Sequence, residues 1–136
     1  MALKKPIHNY SGDLKELQSG DLLNHSDVDI GRAALTDGAT ITCDISLGQV
    51  FDITLAGNRT ITFTGGSAAT DGKKIIVRIK QDATGSRLLT WDTIVRFGTD
   101  ITGITLTTTA NATDMVGLIY NHAATKFDVV AFSRGY

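Results

Sequence analysis

From residue 39 onward, apolar and polar positions alternate with a period of two, the signature of extended chain whose successive side chains point to opposite faces. Residues 40–44 place Ile41 and Cys43 on one face, continued by Ile45. Residues 50–56 send Phe51, Ile53 and Leu55 to one side and Asp52 and Thr54 to the other, the pattern of a half-buried strand. Gly57-Asn58 then predicts a tight turn with positive φ, leading into a returning strand over 59–64 with Ile61 and Phe63 inward. After the small-residue loop Gly65-Gly66-Ser67 to Asp71-Gly72, residues 74–81 direct Ile75, Val77 and Ile79 inward and Arg78 and Lys80 outward. Asp82-Ala83-Thr84-Gly85-Ser86 predicts a second hairpin turn, with Leu89 and Trp91 as core residues on the return. Further strands are expected over 105–109, 115–121 and 126–132, separated by Asn111-Ala112-Thr113-Asp114 and Asn121-His122-Ala123-Ala124. Short strands spaced by roughly 8 to 12 residues, without a sustained helical period, predict an all-β fold, an antiparallel β-sandwich of jelly-roll type. The Thr-rich run with Thr105, Thr107 and Thr109 is the expected edge, free to pair with another subunit.

The pattern changes near Leu35. Residues 1–34 contain the sole proline and two of the three histidines, without alternation, and are read as an extended N-terminal arm ahead of a β domain over 35–136. Ser11-Gly12-Asp13-Leu14-Lys15-Glu16-Leu17 has the composition to begin a helical turn, but Gly20-Asp21 interrupts it too soon for independent stability. Tyr10, Leu14, Leu17, Leu22 and Leu23 are apolar on a segment too short for its own core, so they are expected to dock on a partner.

A hydrophobic fraction of 42% gives a chain of 136 residues enough apolar material for one core. With 13 Lys and Arg against 14 Asp and Glu, the net charge of −1 supplies no field to gather nucleic acid or an anionic membrane. Cys43 is the sole cysteine, which rules out an intrachain disulfide and a Cys-rich zinc site. No apolar run approaches the ~20 residues of a membrane span, and the start lacks a signal-peptide core, so the protein is expected to be made in a cytoplasm.

Catalytic, metal and cofactor sites are not expected. His8, His25 and His122 lack ligand spacing, and Asp27-Val28-Asp29 lacks the calcium-loop pattern. No Gly-x-Ser-x-Gly or phosphate loop occurs, and Cys43 falls among inward residues, as a buried thiol does. Arg78, Lys80 and Arg87 form a modest basic strip without interleaved aromatics, which reads as a solvated β face rather than a nucleic-acid platform. Trp91 reads as core before it reads as a sugar-stacking residue.

Two phrases go further. Ile53-Thr54-Leu55-Ala56-Gly57-Asn58-Arg59-Thr60-Ile61, followed by Gln81-Asp82-Ala83-Thr84-Gly85-Ser86-Arg87 and the ending Thr90-Trp91, resembles a β domain of virion structural proteins of tailed bacteriophages. The resemblance covers roughly residues 39–134, and Gly12 to Asp21 is similar to the connectors that precede such domains. It implies attachment rather than catalysis: a homotrimeric head-decoration or head-fibre protein in the virion, anchored on capsid or on a neighbouring subunit by its arm. The alternatives are a tail-fibre or tail-tip adaptor touching host surface glycan and, from another class, a lectin or small glycan-acting enzyme. Its partners would be capsid or tail proteins, with no nucleic acid and no membrane.

Overall fold

The structure, a computed structural model, describes residues 31–136 and, ahead of them, the backbone of two short strands, β1 (Ile7–His8) and β2 (Leu14–Lys15). These two pair antiparallel with Ile7 opposite Lys15, so the chain at Leu14–Lys15 is extended and ladder-bonded where a helical turn was expected. The remaining strands are β3 (Arg32–Ala34), β4 (Thr40–Asp44), β5 (Val50–Leu55), β6 (Arg59–Thr64), β7 (Lys74–Gln81), β8 (Leu89–Trp91), β9 (Val95–Arg96), β10 (Thr113–Asn121) and β11 (Lys126–Ser133). Beyond these, helical structure among the described residues amounts to two single 3-10 turns, Ile45–Leu47 and Ala68–Thr70. The all-β expectation holds.

The pairing departs from the expected antiparallel sandwich. From β3 to β8 the chain alternates between two sheets, one ordered β3-β5-β7-β10-β11-β9 and one ordered β4-β6-β8. Every pairing within β3-β5-β7 and within β4-β6-β8 is parallel. Antiparallel pairing enters the six-stranded sheet only where β10 joins β7 and β11, the latter with a bulge at Gly117/Leu118. Gly57-Asn58 and 82–88 therefore do not close hairpins. They are arches, each carrying the chain from one sheet across to the other, so β5 lies beside β3 and β7 rather than beside β6. Neither Gly57 nor Asn58 has the positive φ that a two-residue hairpin turn requires, whereas Gly85 (φ 73°) and Ser86 (φ 59°) do adopt it. The physical gain of arching is that the apolar faces of β5 and β6 point at each other across the core instead of lying side by side on one surface.

Because the coils stack in register, apolar residues form ladders. Ile41, Ile61 and Trp91 line up across the three-stranded sheet, with Cys43 beside Phe63. Across the other sheet Phe51 aligns with Val77 and Val116. Ile41, Cys43, Ile45, Phe51, Leu55, Ile61, Val77 and Val116 are all fully enclosed. At roughly 1.5–3 kcal/mol for each fully buried large side chain, this interior is the main stabilising term of the domain. An aromatic contact bridges the sheets where Phe63 stacks on Phe127 at 4.9 Å between centroids, and each ring has a neighbour within its own sheet: Phe127 meets Tyr120 at 4.9 Å, and Trp91 lies parallel to Phe63 at 6.4 Å. Trp91, expected in the core, is half-buried and packs against the border of the core together with Leu89.

The expected strand over 105–109 does not form. Its polar groups are served one at a time instead of by a ladder. Thr107 N–H donates to the buried Asp114 carboxylate (2.6 Å), Thr108 C=O accepts from Ser86 N–H (2.8 Å), and Thr105 C=O accepts from Arg134 (3.2 Å). Asp114 also accepts from Gly135 N–H (2.9 Å), so this one carboxylate ties residues 105–108 and 133–136 to the start of β10.

Phe63 makes the ring contact between the two sheets among the described residues. Phe63→Ala is expected to cost about 3–5 kcal/mol, read as a lower urea midpoint by far-ultraviolet circular dichroism, because the hole falls between two sheets that cannot close on it.

Candidate functional site: stacked arches and a charged groove

The three arches at one end of the coils, residues 35–39, 56–58 and 82–88, lie next to one another and are joined by polar contacts across neighbours. In the middle arch, Arg59 reaches back to the first. Its Nε and Nη2 donate to the two oxygens of Asp37 at 2.9 and 2.7 Å. Asn58 reaches forward to the third: Leu88 N–H donates to Asn58 Oδ1 (3.0 Å), while Arg59 N–H donates to Leu88 C=O (2.9 Å). The third arch satisfies itself. Gln81 sits at an inward, buried position in line with Leu55, and its amide accepts from Arg87 N–H (2.8 Å) and donates to Arg87 C=O (3.0 Å). Asp82 accepts from Thr84 and Gly85 N–H and pairs with the Arg87 guanidinium at 2.8 Å. A methyl group at Gly85 would run into the backbone at Thr108 and Ala110, and the residue has positive φ, so the turn requires glycine twice over. The two sequence phrases are thus neighbouring layers of one stack, in which Asn58, Arg59, Gln81, Asp82 and Arg87 answer backbone or charge demands within their own layer or in the one beside it.

The outward face of the six-stranded sheet carries a second arrangement. Asp52 on β5 receives Arg32 Nε from β3 on one oxygen and Arg78 Nε from β7 on the other, both at 2.5 Å. Hydrogen bonding from Arg78, reinforced by Arg32, holds the Asp52 carboxyl below the usual carboxylate range. Lys80 continues the same face, exposed, flanked in register by Thr54 and Thr113. These residues line an open groove of about 440 Å³ whose far wall includes Tyr136. Tyr136 is 66% exposed yet fixed, since its N–H and C=O both bond Thr113 and its hydroxyl lies 2.7 Å from Ser133 Oγ.

Residues singled out from the sequence are dispersed. Tyr10, Leu17, Leu22, Leu23 and the side chain of Leu14 lie outside the described residues. Thr105 and Thr109 are exposed and Thr107 half-buried, on irregular chain. Of the basic strip, Arg78 and Lys80 share a face, but Arg87 belongs to the third arch with Asp82, and Arg32, which the strip omitted, takes its place. Cys43 is buried, and burial, with Asp44 adding to it, pushes its thiol up to about 12, which leaves it protonated and unreactive at neutral pH. Among the described residues, no group of His, Cys, Asp and Glu is placed to hold a metal ion, and no helix is long and apolar enough to cross a membrane.

A family model described as "Putative phage tail fibre C-terminal domain" matches residues 37–124, a span that contains all three arches except the first two residues of the first. No curated protein matches the chain.

The stack has a pH signature. Hydrogen bonding from Arg59 holds the Asp37 carboxyl below its ordinary value, as Arg87 does for Asp82. A carboxylate with a depressed folded pKa contributes stability that is complete above its unfolded value, near 3.9, and is lost as pH falls through the folded value. Arg59→Met is therefore expected to lower the unfolding midpoint at pH 7, and its deficit against the native chain should vanish as pH falls through and below about 4.

Proposed function

Since the chain belongs to the phage tail fibre C-terminal domain family, we propose that it is a non-enzymatic structural module of a tail fibre in the virion of a tailed phage, held by its N-terminal arm with the β domain facing outward. The observation that carries the reading is the overlap between the family match and the arch stack. The part of the chain by which the family is recognised contains the contacts that hold one coil to the next, with the arch charges paired as Asp37 with Arg59 and Asp82 with Arg87. A rigid stack of this kind transmits position and force without needing to move.

In this proposal Tyr10, Leu14, Leu17, Leu22 and Leu23 dock on another virion protein, and residues 1–34 and 35–136 divide attachment from display. The copies associate as a homotrimer, in which Thr105, Thr107 and Thr109 remain candidates for contact between subunits through their irregular, exposed chain. Family membership favours the tail over head decoration, the location expected first from the sequence, and favours a fibre part over a free-standing lectin or glycan-acting enzyme.

A gold label attached beyond Tyr136 is expected to mark the tail in electron micrographs of intact particles. Label spread over the head would restore the decoration reading, and unlabelled particles would remove the virion assignment. Light scattering of the isolated full chain at micromolar concentration is expected to give three times the 14.5 kDa chain mass, and a monomer mass would contradict the trimer.

A further inference from the structure

The groove on the outward sheet face does not belong to the arch stack. Its central contact differs from an ordinary surface ion pair, because one carboxylate is shared by two arginines from strands on either side of it. Asp52 takes a single Nε–H from each. The terminal nitrogens of Arg32 and Arg78 have no acceptor among the described residues, and neither has Lys80. Asp52 thus acts as a spacer that fixes two guanidinium groups while neutralising only one of three cations. Among the lining side chains, three cations face one carboxylate, on a chain whose net charge is −1. Held guanidinium edges are suited to paired anionic oxygens, since the donors are already oriented and little side-chain freedom is lost on binding.

We propose, building on the tail-fibre reading, that this groove binds an acidic sugar unit of a surface polysaccharide. Arg78, Arg32 and Lys80 take its anionic group, Tyr136 offers its exposed ring to the apolar face of the sugar, and the threonine hydroxyls beside Lys80 take ring hydroxyls. Tyr136 and the threonines distinguish a sugar from a bare anion, because an isolated carboxylate or phosphate has no use for a fixed aromatic face. The volume, about 440 Å³, suits one or two sugar units. A single ring is too few to stack successive bases, and a chain of net charge −1 supplies no long-range field to gather a nucleic-acid strand.

The test is titration of the full chain with polygalacturonate, with a phosphorylated mannan and with neutral dextran, at low and at physiological salt. Saturable binding of an acidic polymer that weakens with salt and is absent for dextran is expected, and which polymer binds tells a carboxylate from a phosphate source. Lys80→Gln, at an exposed position without a partner, should leave the unfolding midpoint unchanged and weaken binding several-fold; Arg78→Gln should weaken it about tenfold, the usual scale of a lost charge-assisted hydrogen bond. Tyr136→Ala should weaken polysaccharide without altering the response to salt. The proposal is overturned if neither acidic polymer binds, if dextran binds equally, or if Lys80→Gln and Tyr136→Ala both bind as the native chain does. A tail-located protein that binds neither polymer would sink this inference alone, whereas acidic-sugar binding by a protein absent from the particle would sink the tail-fibre reading alone.

Discussion

Parallel pairing forbids a short turn between neighbouring strands, and that constraint shapes the molecule from β3 to β8. Each strand has to leave its sheet, cross to the other and return one layer further on, so each crossing bends the chain at the border of the core. A bend exposes backbone donors and acceptors that no ladder serves, and buried ones left unmade cost on the order of 1–3 kcal/mol apiece. The polar residues of the arches supply the missing partners. Asn58 replaces a strand neighbour for Leu88, Gln81 does so on both sides of Arg87, and Asp82 closes the turn at Thr84 and Gly85.

Once the crossings are satisfied, the ladders follow. Coils in register bring Ile41 over Ile61 and Phe51 over Val77, and the two inward faces meet through Phe63 and Phe127. The antiparallel pair β10 and β11 then ends the parallel stack on one side, with the β10–β7 ladder covering the last parallel edge of the six-stranded sheet. The same register that aligns apolar residues inside aligns charges outside. That is how Arg32, Asp52 and Arg78, 20 and 26 residues apart, come to share one contact.

What could be read from the sequence and what could not divide along this line. The facing of Ile41, Cys43, Phe51, Ile53, Ile61, Phe63, Ile75, Val77 and Ile79 was legible, because alternation decides inside from outside whichever strand lies alongside. Partnership was not, since a short Gly57-Asn58 link suits a hairpin and an arch equally in composition, and only φ and the long-range Arg59 to Asp37 contact separate them. The run 105–109 misled for a related reason: threonine favours strands, but a strand needs a partner, and Asp114 had already taken Thr107. The groove was missed because its charged residues come from three successive coils and its remaining wall from β10 and Tyr136. Spacing between outward charges in successive coils would have revealed it, had the parallel stacking been recognised.

The interleaved parallel stack is read directly by nuclear Overhauser contacts between backbone protons. Cross-strand contacts are expected to join residues 41–43 to 61–63 and 51–53 to 77–79, in parallel register, with none between residues 54–55 and 59–60 beyond the immediate link. A ladder of antiparallel contacts running from 54–55 and 59–60 outward along β5 and β6 would mean a hairpin at Gly57-Asn58, and would contradict the parallel stack.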